Sequence, residues 1–593
     1  MRILGISCYF HDAAAALIDD GMLVAAAEEE RFSRIKHDFG FPERAIRFCL
    51  ESARIRGSDL DFVAFFEKPL VKFERILQTA LATAPRSHVV FRKAMTTWML
   101  DKLWIKSRIR DTLGVPADRI LFVEHHQSHA ASAFYCSPFD EAAILTVDGV
   151  GEWATATTGM GRGTSVSIDG EIRFPHSLGL LYSALTAFLG FEVNEGEYKV
   201  MGMAPYGTPR YEDKVWKLLE VAADGAFELN LEYFSFHYSD TRTYSPAFEA
   251  LFGPSRKPET PFFTETSGYP SYFGSKPSNY RQLADENQHY ADIAASIQRV
   301  TEEILLRMVK SLAARTGSTR LCLAGGVALN SVANARVLRE TSIRDLYVQP
   351  AAGDSGAALG AAMFVHHHVL GHPRGFVLDR ACWGAVPDPD AVRAAADGEW
   401  QHVEARREED LIDRTVDLLV DGKVVGWVQG RFEWGPRALG HRSILADPRR
   451  VDMKDIVNTK IKFREPYRPF APSVLQEHAY ELFDLEEPER HYPARFMLLV
   501  APVRESARDR IPAVTHVDGS ARLQTVVRDA SPRYHELIRQ FGQATGVPVL
   551  LNTSFNLRGE PIVNTPEEAV STFRRSGMDA LVLDHTIVVK ETS

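Results

Sequence analysis

The chain has 593 residues, of which 45% are hydrophobic and 25% are charged, and it carries a formal net charge of -10. This length predicts more than one domain, and the acidic balance argues against binding to nucleic acid or to an anionic membrane. No apolar run is long enough to span a membrane, no secretory signal peptide is visible, and the five cysteines are scattered without a CxxC pair. We therefore expect a cytoplasmic protein with reduced thiols.

A strand, a polar loop and a hairpin are predicted at the N-terminus. Residues 2–7 predict a buried strand, and the loop that follows contains His11 and Asp12. Residues 13–18 and 22–27 predict two further strands, because the Asp-Gly pair between them suits the positive backbone angles of a tight hairpin turn.

The same order of elements recurs later in the chain. Residues 142–147 predict a strand, Asp148-Gly149 open a loop, and residues 164–174 predict a hairpin that turns at Asp169-Gly170. The recurrence predicts two related half-domains of an α/β protein. Backbone N–H groups in such loops can hold phosphates, so the two halves are predicted to close over a nucleotide.

Two histidines stand one helical turn apart in the segment EHHQSHA, residues 124–130. At this spacing His125 and His129 project from one helix face, and two neutral imidazoles can hold one metal ion. Asp148, which follows the next predicted strand, is the candidate third ligand. A histidine pair alone is more often structural, so the prediction depends on the neighbouring carboxylate.

Two glycine-containing segments each begin a predicted helix. Residues 321–324 predict a strand that leads into Gly325-Gly326 and a helix from about Asn330, where missing side chains let a ligand approach the backbone. Residues 353–356 begin another helix in the same manner. Asp354 is then either a simple N-cap or part of the site.

A domain boundary is predicted near the histidine-rich residues 366–372, which are typical of a helix end and a linker. We divide the chain into domains of residues 1–371 and 372–593. His368 and His372 have the spacing of a metal-binding pair, although the favourable charge of imidazoles in a last helical turn accounts for them better.

Between residues 431 and 468, ten Lys or Arg stand against five Asp or Glu, a local balance of +5 in an acidic protein. Trp434, Phe463 and Tyr467 are interspersed among these charges, which is more typical of a lined cleft than of a solvated surface. Guanidinium groups bind phosphates and small anions through paired hydrogen bonds. The segment therefore predicts a pocket for a polyphosphate or an acyl phosphate.

Ten long motifs follow one another along nearly the whole chain. They are GISCYFHDAAAALI, EEERFSRIKHDFGFP, EHHQSHA, LTVDGVGEW, NEGEYKVMGMAPYG, LAGGVALN, GDSGAALG, GRFEWGPRALGHRSILADPR, KFREPYRPFAPSVL and LLNTSFNLRGEPIV. Together they make the chain similar to the NodU/CmcH-type O-carbamoyltransferases, which modify nodulation factors and take part in antibiotic biosynthesis.

This resemblance implies an α/β protein with two parts. The N-terminal part would be a duplicated nucleotide-binding domain of the actin and heat-shock ATPase type (ASKHA), similar to the threonylcarbamoyl transferases. The C-terminal part would be a YrdC-like twisted α/β domain that makes carbamoyl-adenylate from carbamoyl phosphate and ATP with Mg. The N-terminal domain would then pass the carbamoyl group to a hydroxyl of a natural product such as a sugar or macrocycle.

The resemblance also implies roles for individual residues. A divalent metal, Fe(II) with Zn or Mn as alternatives, would be bound by His125, His129, Asp148 and Asp354, which makes Asp354 a ligand. His11 and Lys36 would line the transfer site, with His11 or Asp12 as the general base. The pocket for carbamoyl phosphate and ATP would be formed by Arg437, Lys462, Arg468, Arg522, Asn552 and Ser554. The N-terminal nucleotide site would be formed by Gly149, Glu197, Lys199, Gly325, Gly326 and Asn330.

Two segments and two other functions stay open. The aromatic-rich residues 227–280 either pack as an insertion or offer stacking surfaces to the acceptor. The helical residues 72–109 either roof the acceptor site or form a homodimer contact. An RNA-modifying threonylcarbamoyl transferase is the alternative enzyme, which the acidic balance opposes. A non-catalytic interaction protein that binds nucleotide and metal is the second alternative.

Overall fold

The structure is a computed structural model that describes residues 1–100, 102–270, 273–397, 401–405, 407–462, 465 and 467–590. Tyr272 of the aromatic-rich span, and Phe463 and Arg464 of the basic segment, lie outside these described residues. The chain forms two units. The first comprises Met1–Ala26, Phe39–Tyr269 and Ser275–Val377, and the second comprises Ala27–Asp38, Pro270–Gly274 and Leu378–Ser593.

Two five-stranded sheets with the same plan lie in the first part of the chain. Their strand orders are β3-β2-β1-β4-β5 and β8-β7-β6-β11-β12, and in each the central strand has an antiparallel hairpin on one side and parallel strands on the other. The shared order confirms the predicted duplication. The first twelve strands are β1 (Arg2–Ser7), β2 (Ala14–Asp19), β3 (Met22–Glu28), β4 (Phe62–Phe65), β5 (Ile120–Phe122), β6 (Glu141–Val147), β7 (Ala154–Arg162), β8 (Ser165–Arg173), β9 (Leu219–Val221), β10 (Phe227–Leu229), β11 (Arg320–Ala324) and β12 (Asp345–Tyr347).

The first predicted hairpin turn is confirmed, and the second is wrong. Asp20 and Gly21 have φ values of 47° and 78° and join β2 to β3, as a mirror-image turn requires. The turn between β7 and β8 instead contains Gly163, whereas Asp169 and Gly170 lie inside β8. The Thr158 hydroxyl donates to Asp169 Oδ1 at 3.0 Å, next to a shift in the register of the two strands. The Asp-Gly pair therefore marks a bulge instead of a turn.

The predicted helical segment 72–109 consists of three α-helices, α3 to α5, and the histidine-rich residues form a π-helix, Phe364–Val369, that continues α13. His368 stacks on Phe364 within this π-helix and accepts a hydrogen bond from the Val166 N–H, so the structure gives it a packing role. The helices are α1 (Glu30–Ser33), α2 (Glu43–Ala53), α3 (Pro69–Ala82), α4 (His88–Leu100), α5 (Ile105–Leu113), α6 (His125–Phe134), α7 (Leu178–Phe188), α8 (Glu197–Met203), α9 (Glu212–Val215), α10 (Pro246–Phe252), α11 (Tyr280–Thr316), α12 (Ser331–Glu340), α13 (Asp354–Met363), α14 (Pro389–Ala396), α15 (Glu408–Val420), α16 (Met453–Val457), α17 (Ala479–Leu482), α18 (Tyr492–Arg495), α19 (Glu505–Arg508), α20 (Pro532–Thr545) and α21 (Pro566–Arg575).

Helices α6 and α13 pack directly against each other and are buried along nearly their whole lengths. A glycine makes this close approach possible, because a Cβ on Gly360 would overlap the backbone carbonyl of Ser128. A Cβ on Gly5 of β1 would likewise overlap the carbonyl of Ala358 in α13. The backbone of α13 is therefore held tightly between the first sheet and α6.

The second unit is built on a mixed eight-stranded sheet of order β13-β22-β21-β14-β15-β20-β16-β19. Helices α15 and α20 pack against this sheet around Trp427 and Phe541, both fully buried. The remaining strands are β13 (Gln401–Glu404), β14 (Val425–Val428), β15 (Arg442–Ala446), β16 (Ala471–Leu475), β17 (Val500–Pro502), β18 (Ser520–Arg522), β19 (Gln524–Val526), β20 (Val549–Ser554), β21 (Ala580–Leu583) and β22 (Thr586–Val589).

The segment Ala27–Asp38 belongs to this second unit although it lies near the N-terminus. Arg31 is only 2% exposed, and its Nη2 donates to the Gly435 carbonyl at 2.7 Å. The Asn564 side chain donates to the carbonyl of Arg31, and Glu28 accepts from the Gly435 N–H at 2.7 Å. Lys36 also lies in this segment. Among the described residues, no helix is long and apolar enough to cross a membrane.

Candidate functional site

Four side chains predicted as metal ligands lie together in the first unit. Helix α6 places His125 and His129 on one face, Asp148 directly follows β6, and Asp354 is the first residue of α13. His125 Nε2 lies 3.0 Å from Asp148 Oδ2, and His129 Nε2 lies 3.5 Å from Asp354 Oδ1. All four ligand atoms are within 4.8 Å of one another.

The geometry of this cluster fits a divalent metal ion. Ligands bound at about 2.1 Å from one ion lie about 3.0–3.4 Å apart in octahedral or tetrahedral sites. His125 Nε2 and His129 Nε2 are 3.0 Å apart, which agrees with this spacing. Asp354 Oδ2 is buried without a hydrogen-bond partner in the part of the chain that the structure describes. Two imidazoles with two carboxylates suit Fe(II), Zn or Mn.

Burial makes the charges of this cluster depend on one another. Burial lowers the pKa of His129, but the hydrogen bonds that its ring donates to Asp148 and Asp354 outweigh burial and raise this pKa to about 9. Burial likewise opposes ionisation of Asp148, but hydrogen bonds with His125 and His129 hold its pKa well below the usual range. Without an ion, a proton therefore stays on His129 and balances the carboxylates.

His126, between the two candidate ligands, has a structural role. Burial, followed by the charges of its neighbours His125 and His129, lowers its pKa well below the usual value, so the ring is neutral. Its Nε2 lies 2.9 Å from the Ala154 carbonyl and its Nδ1 lies 2.6 Å from Thr146 Oγ1. These partners are satisfied when Nε2 donates and Nδ1 accepts.

Glu152 is a residue of the site that the sequence did not reveal. Its carboxylate accepts hydrogen bonds from the backbone N–H of His125, at 3.0 and 3.1 Å, and from that of Lys68 at 2.7 Å. Burial raises the pKa of Glu152. The carboxylate holds the first turn of α6, and therefore His125, in place.

The glycines predicted to bind a nucleotide lie beside the cluster of His125, His129, Asp148 and Asp354. The Gly326 N–H donates to Asp148 Oδ1 at 2.8 Å, and Gly149 directly follows Asp148. Gly325 has a φ of 94°, and a Cβ on it would overlap the Val147 carbonyl. The tight turn after β11 therefore requires glycine.

The other predicted nucleotide residues have protein partners. Asn330 caps α12 by accepting from Ala333 N–H, and its amide pairs with that of Gln298. Glu197 begins α8 and accepts from the Ser183 hydroxyl at 2.7 Å, and the Lys199 ammonium lies 5.7 Å from the Phe191 ring centroid. Their nucleotide-binding role stays a prediction.

His11 and Asp12 form a close ion pair in the loop after β1, with Nδ1 2.6 Å from Oδ2. Burial lowers the pKa of His11, but Asp12 outweighs it and raises this pKa to about 9. An imidazolium at neutral pH does not accept a proton. The choice of Asp12 over His11 as the general base stays a prediction.

In the second unit, the structure brings together Lys462 and Ser554. Lys462 is 5% exposed, and its Nζ donates to Ser554 Oγ at 3.3 Å, Asn556 Oδ1 at 2.8 Å and the Asn556 carbonyl at 3.0 Å. Asn552 lies two residues before Ser554 on β20. The other predicted residues lie on the loop between β14 and β15 (Arg437), before β16 beside Glu465 (Arg468) and at the end of β18 (Arg522).

Part of the predicted basic cluster has a structural role instead. The buried Arg442 guanidinium donates to the carbonyls of Gln429, Gly430, His441 and Asn564, and burial lowers its pKa to about 10. Local carboxylates or carbonyls bind such residues, so these cations are not available to an anion pocket, and the pocket itself stays a prediction. Three further cations are paired with acids, namely Arg449 with Asp447, Arg450 with Asp452 and Lys460 with Asp579.

Most of the described aromatic side chains named below from residues 227–280 pack against one another, as the first of the two alternatives for this span predicts. Phe234 and Phe262 are fully buried, and Phe263 stacks on Tyr280 with ring centroids 5.2 Å apart. These rings form part of a core and leave little face for a ligand. A contact between this span and the acceptor stays a prediction.

Two family descriptions match the chain. The one described as "Carbamoyltransferase N-terminus" matches residues 2–363, and the one described as "Carbamoyltransferase C-terminus" matches residues 416–590. The chain belongs to the carbamoyltransferase family. The resemblance carried by the ten motifs is confirmed, and this carbamoyltransferase is an enzyme of carbamoyl transfer.

Relatives of this carbamoyltransferase match it along most of their length. An uncharacterized Synechocystis protein is 46% identical, over 99% of this chain and 97% of that protein. Nodulation protein NolNO of Sinorhizobium fredii is 39% identical, over 99% of this chain and 80% of that protein. Nodulation protein U of Rhizobium tropici is 30% identical, over 94% of this chain and 91% of that protein.

Solved structures resemble the carbamoyltransferase only distantly. HypF of T. kodakarensis is 14% identical with a TM-score of 0.32, over 63% of this chain and 48% of that chain. The ROK hexokinase of Thermus thermophilus is 14% identical with a TM-score of 0.26, over 61% of this chain and 98% of that chain. Scores this low do not establish a shared fold. The duplicated α/β plan therefore comes from the structure of the chain itself.

Proposed function

We propose that this carbamoyltransferase is an ATP-dependent O-carbamoyltransferase with two half-reactions. In residues 372–593, a YrdC-like domain, water cleaves carbamoyl phosphate to carbamate and phosphate, and a carbamate oxygen attacks the α-phosphorus of ATP and expels pyrophosphate. In residues 1–371, an ASKHA-type domain, an acceptor hydroxyl oxygen attacks the carbamoyl carbon of the adenylate. The hydroxyl proton leaves to a base, AMP departs, and a carbamate ester forms.

The environment of Lys462 supports the first half-reaction. A fixed ammonium can hold an anion and stabilise a departing pyrophosphate without reorganising in the reaction. Lys462 is held by Ser554 and Asn556 at the end of β20. We propose that Arg437, Arg468 and Arg522 complete the charge that binds carbamoyl phosphate and ATP, with Mg on the nucleotide.

The cluster of His125, His129, Asp148 and Asp354 is the observation that carries the second half-reaction. A bound divalent ion, which we propose to be Fe(II), would polarise the carbamoyl carbonyl as a Lewis acid. The four side chains would hold that ion, and Glu152 fixes the α6 turn that presents His125. The His11–Asp12 pair lies in the same unit, and Asp12 would take the proton of the acceptor hydroxyl.

The proposal is tested by incubating the protein with ATP, carbamoyl phosphate and a panel of hydroxylated natural products, sugars and macrocycles included. We expect pyrophosphate release that requires both ATP and carbamoyl phosphate, and an acceptor mass increased by one carbamoyl group. Pyrophosphate release from ATP in the absence of carbamoyl phosphate would contradict the proposal. So would the lack of any pyrophosphate release when both substrates are present. With tRNA and threonine added, transfer of a threonylcarbamoyl group to the tRNA instead of carbamoylation of the small molecules would point to the RNA-modifying alternative.

A further inference from the structure

Three buried polar side chains lie on one face of adjacent strands in the second unit. Ser473 of β16, Gln524 of β19 and Asn552 of β20 are 0%, 4% and 1% exposed. Ser473 is paired in register with Gln524, and β16 lies between β19 and β20. Buried polar groups in a sheet are costly unless each is paired.

A chain of hydrogen bonds fixes how each side chain is oriented. The Gln524 amide nitrogen donates to the Leu439 carbonyl at 2.8 Å, which turns its Oε1 toward the other two residues. The Ser473 hydroxyl donates to this Oε1 at 2.6 Å and keeps its oxygen as an acceptor. The Leu439 carbonyl therefore fixes the orientation of two acceptor atoms, Gln524 Oε1 and Ser473 Oγ, that face Asn552.

These acceptors determine which end of the Asn552 amide faces inward. The Asn552 Nδ2 donates to Gln524 Oε1 at 3.0 Å, Ser473 Oγ at 3.1 Å and the Ala438 carbonyl at 3.2 Å. A flipped amide would direct Oδ1 at the Gln524 and Ala438 oxygens, which cannot donate, and would lose both of these bonds. The amide is thus locked, with Oδ1 on the opposite side.

The locked orientation leaves one acceptor with no donor. Asn552 Oδ1 is buried and has no hydrogen-bond partner in the described parts of the protein. Such an atom destabilises a fold unless a water molecule or a ligand supplies the missing donor. An N–H or an O–H group can be that donor, and carbamoyl phosphate, the substrate of the proposed function, offers an N–H group.

The position of Asn552 on β20 suggests which ligand carries that N–H. Asn552 and Ser554 are two residues apart, so they face the same side of the strand about 6.6 Å apart. Ser554 Oγ accepts a hydrogen bond from the Lys462 ammonium. Asn552 Oδ1 therefore offers an acceptor for an N–H group, and the Lys462 ammonium bound at Ser554 offers a positive charge two residues further along the strand. This spacing suits a small molecule with an amino group at one end and a phosphate at the other.

We propose that Ser473 and Gln524 are positioning residues that hold Asn552 Oδ1 as the acceptor for the carbamoyl N–H. This selects carbamoyl phosphate over acyl phosphates of the same shape that lack the N–H. The assignment rests on the proposed function, since it takes the second unit as the place where carbamoyl phosphate binds. Neither Ser473 nor Gln524 needs to touch the substrate.

The test compares carbamoyl phosphate with acetyl phosphate, in which a methyl group replaces the amino group. Pyrophosphate release gives the KM for carbamoyl phosphate and for ATP, and acetyl phosphate is measured as a competitive inhibitor. In Gln524→Met and Ser473→Ala the Asn552 amide is free to turn. We expect the KM for carbamoyl phosphate to rise about 10- to 100-fold, while the inhibition constant of acetyl phosphate and the KM for ATP stay unchanged.

Two further variants separate positioning from folding. Ser473→Thr keeps the hydroxyl, and we expect it to restore the KM for carbamoyl phosphate. Thr525→Val is the matched control, because Thr525 is buried on the same strand but faces the other side. Equal changes for carbamoyl and acetyl phosphate, or no change, would overturn the assignment. A wild-type enzyme without carbamoyl-phosphate-dependent pyrophosphate release would overturn the proposed function itself, before any variant is compared.

Discussion

His125 and His129 face each other with their Nε2 atoms 3.0 Å apart and with Asp148 Oδ2 within 3.7 Å of both. Two protonated nitrogens repel at this distance, so at most one of them carries the shared hydrogen. An ion at this point would replace that hydrogen and pair with the carboxylates. Metal binding is therefore expected to release a proton and to strengthen as pH rises.

Removing one imidazole should separate the half-reactions. We expect His129→Ala to lose bound metal and the carbamoylated product, while pyrophosphate release that depends on ATP and carbamoyl phosphate continues, because the residues proposed for that step lie in the second unit. Elemental analysis and product mass measure the two effects. His478→Ala removes a half-exposed imidazole of the second unit as the control. Full turnover of the metal-free His129 variant would contradict the role of this cluster.

Removing the buried ammonium of Lys462 should stop the formation of carbamoyl-adenylate and leave carbamoyl transfer intact. We expect Lys462→Met to reduce pyrophosphate release by about 100-fold or more, because a fixed positive charge at the departing pyrophosphate is lost. Transfer from supplied carbamoyl-adenylate should continue. Lys460→Met is the matched control, since Lys460 lies on the same segment as Lys462 but is half-exposed and paired with Asp579. Loss of both half-reactions in the Lys462 variant would argue against two separate sites.

The carboxylate of Glu152 should matter for metal affinity although it is not one of the four ligands. Glu152→Gln leaves one oxygen for the backbone N–H groups of His125 and Lys68 and places an amide donor against one of them. We expect metal affinity to fall about 10- to 100-fold with adenylate formation unchanged. Glu124→Gln, at an exposed carboxylate next to His125, should leave affinity unchanged. Titration with Fe(II) or Zn measures both variants.

The contact between α6 and α13 predicts a strict requirement for glycine. In Gly360→Ala the new methyl group meets the Ser128 carbonyl, so we expect a loss of about 1–3 kcal/mol of stability and weaker metal binding as the helices separate. Gly353→Ala, where a Cβ meets no atom within 4 Å, is the control. Thermal unfolding and metal content follow the two effects. Equal stability of the two variants would show that the helices are not closely packed.

The His11–Asp12 pair predicts a pH-dependent contribution to stability. The pKa of His11 is raised from 6.5 to about 9, so the folded state favours the imidazolium. The stabilisation is complete below pH 6.5 and is lost as pH rises through 9. Near pH 6, we expect the free energy of unfolding of the wild type to exceed that of Asp12→Asn by about 1–3 kcal/mol. This difference should disappear as the pH rises through 9. Asn tolerates the φ of 40° at this position, so the backbone stays unstrained. A pH-independent difference would contradict the pairing.

Local patterns in the sequence predicted the parts of the site that depend on local geometry. The spacing of His125 and His129, the strand before Asp148 and the Asp20-Gly21 turn all follow from rules that hold within a few residues. The proximity of Asp354 came from the family resemblance, because no local pattern brings α13 beside α6. The ligand role of the cluster stays a prediction.

Residues whose partners are distant in sequence could not be predicted in this way. Glu152 accepts from Lys68, which is 84 positions away, and Arg442 is bound by carbonyls as far away as Asn564. A carboxylate or a guanidinium in such a place has the same appearance in the sequence as one in a catalytic pocket. Asp169-Gly170 was misread for a related reason, since the strand that pairs with it was not predicted.

The burial of Arg31 in the second unit has a consequence for dividing this polypeptide. Its bond to Gly435 joins positions 404 apart in sequence. A fragment that starts at Leu378 would lack Arg31 and Glu28, leaving Gly435 without both partners. A single break in the gene therefore cannot yield two complete units, and the second unit expressed alone would need the segment Ala27–Asp38 supplied as a separate peptide.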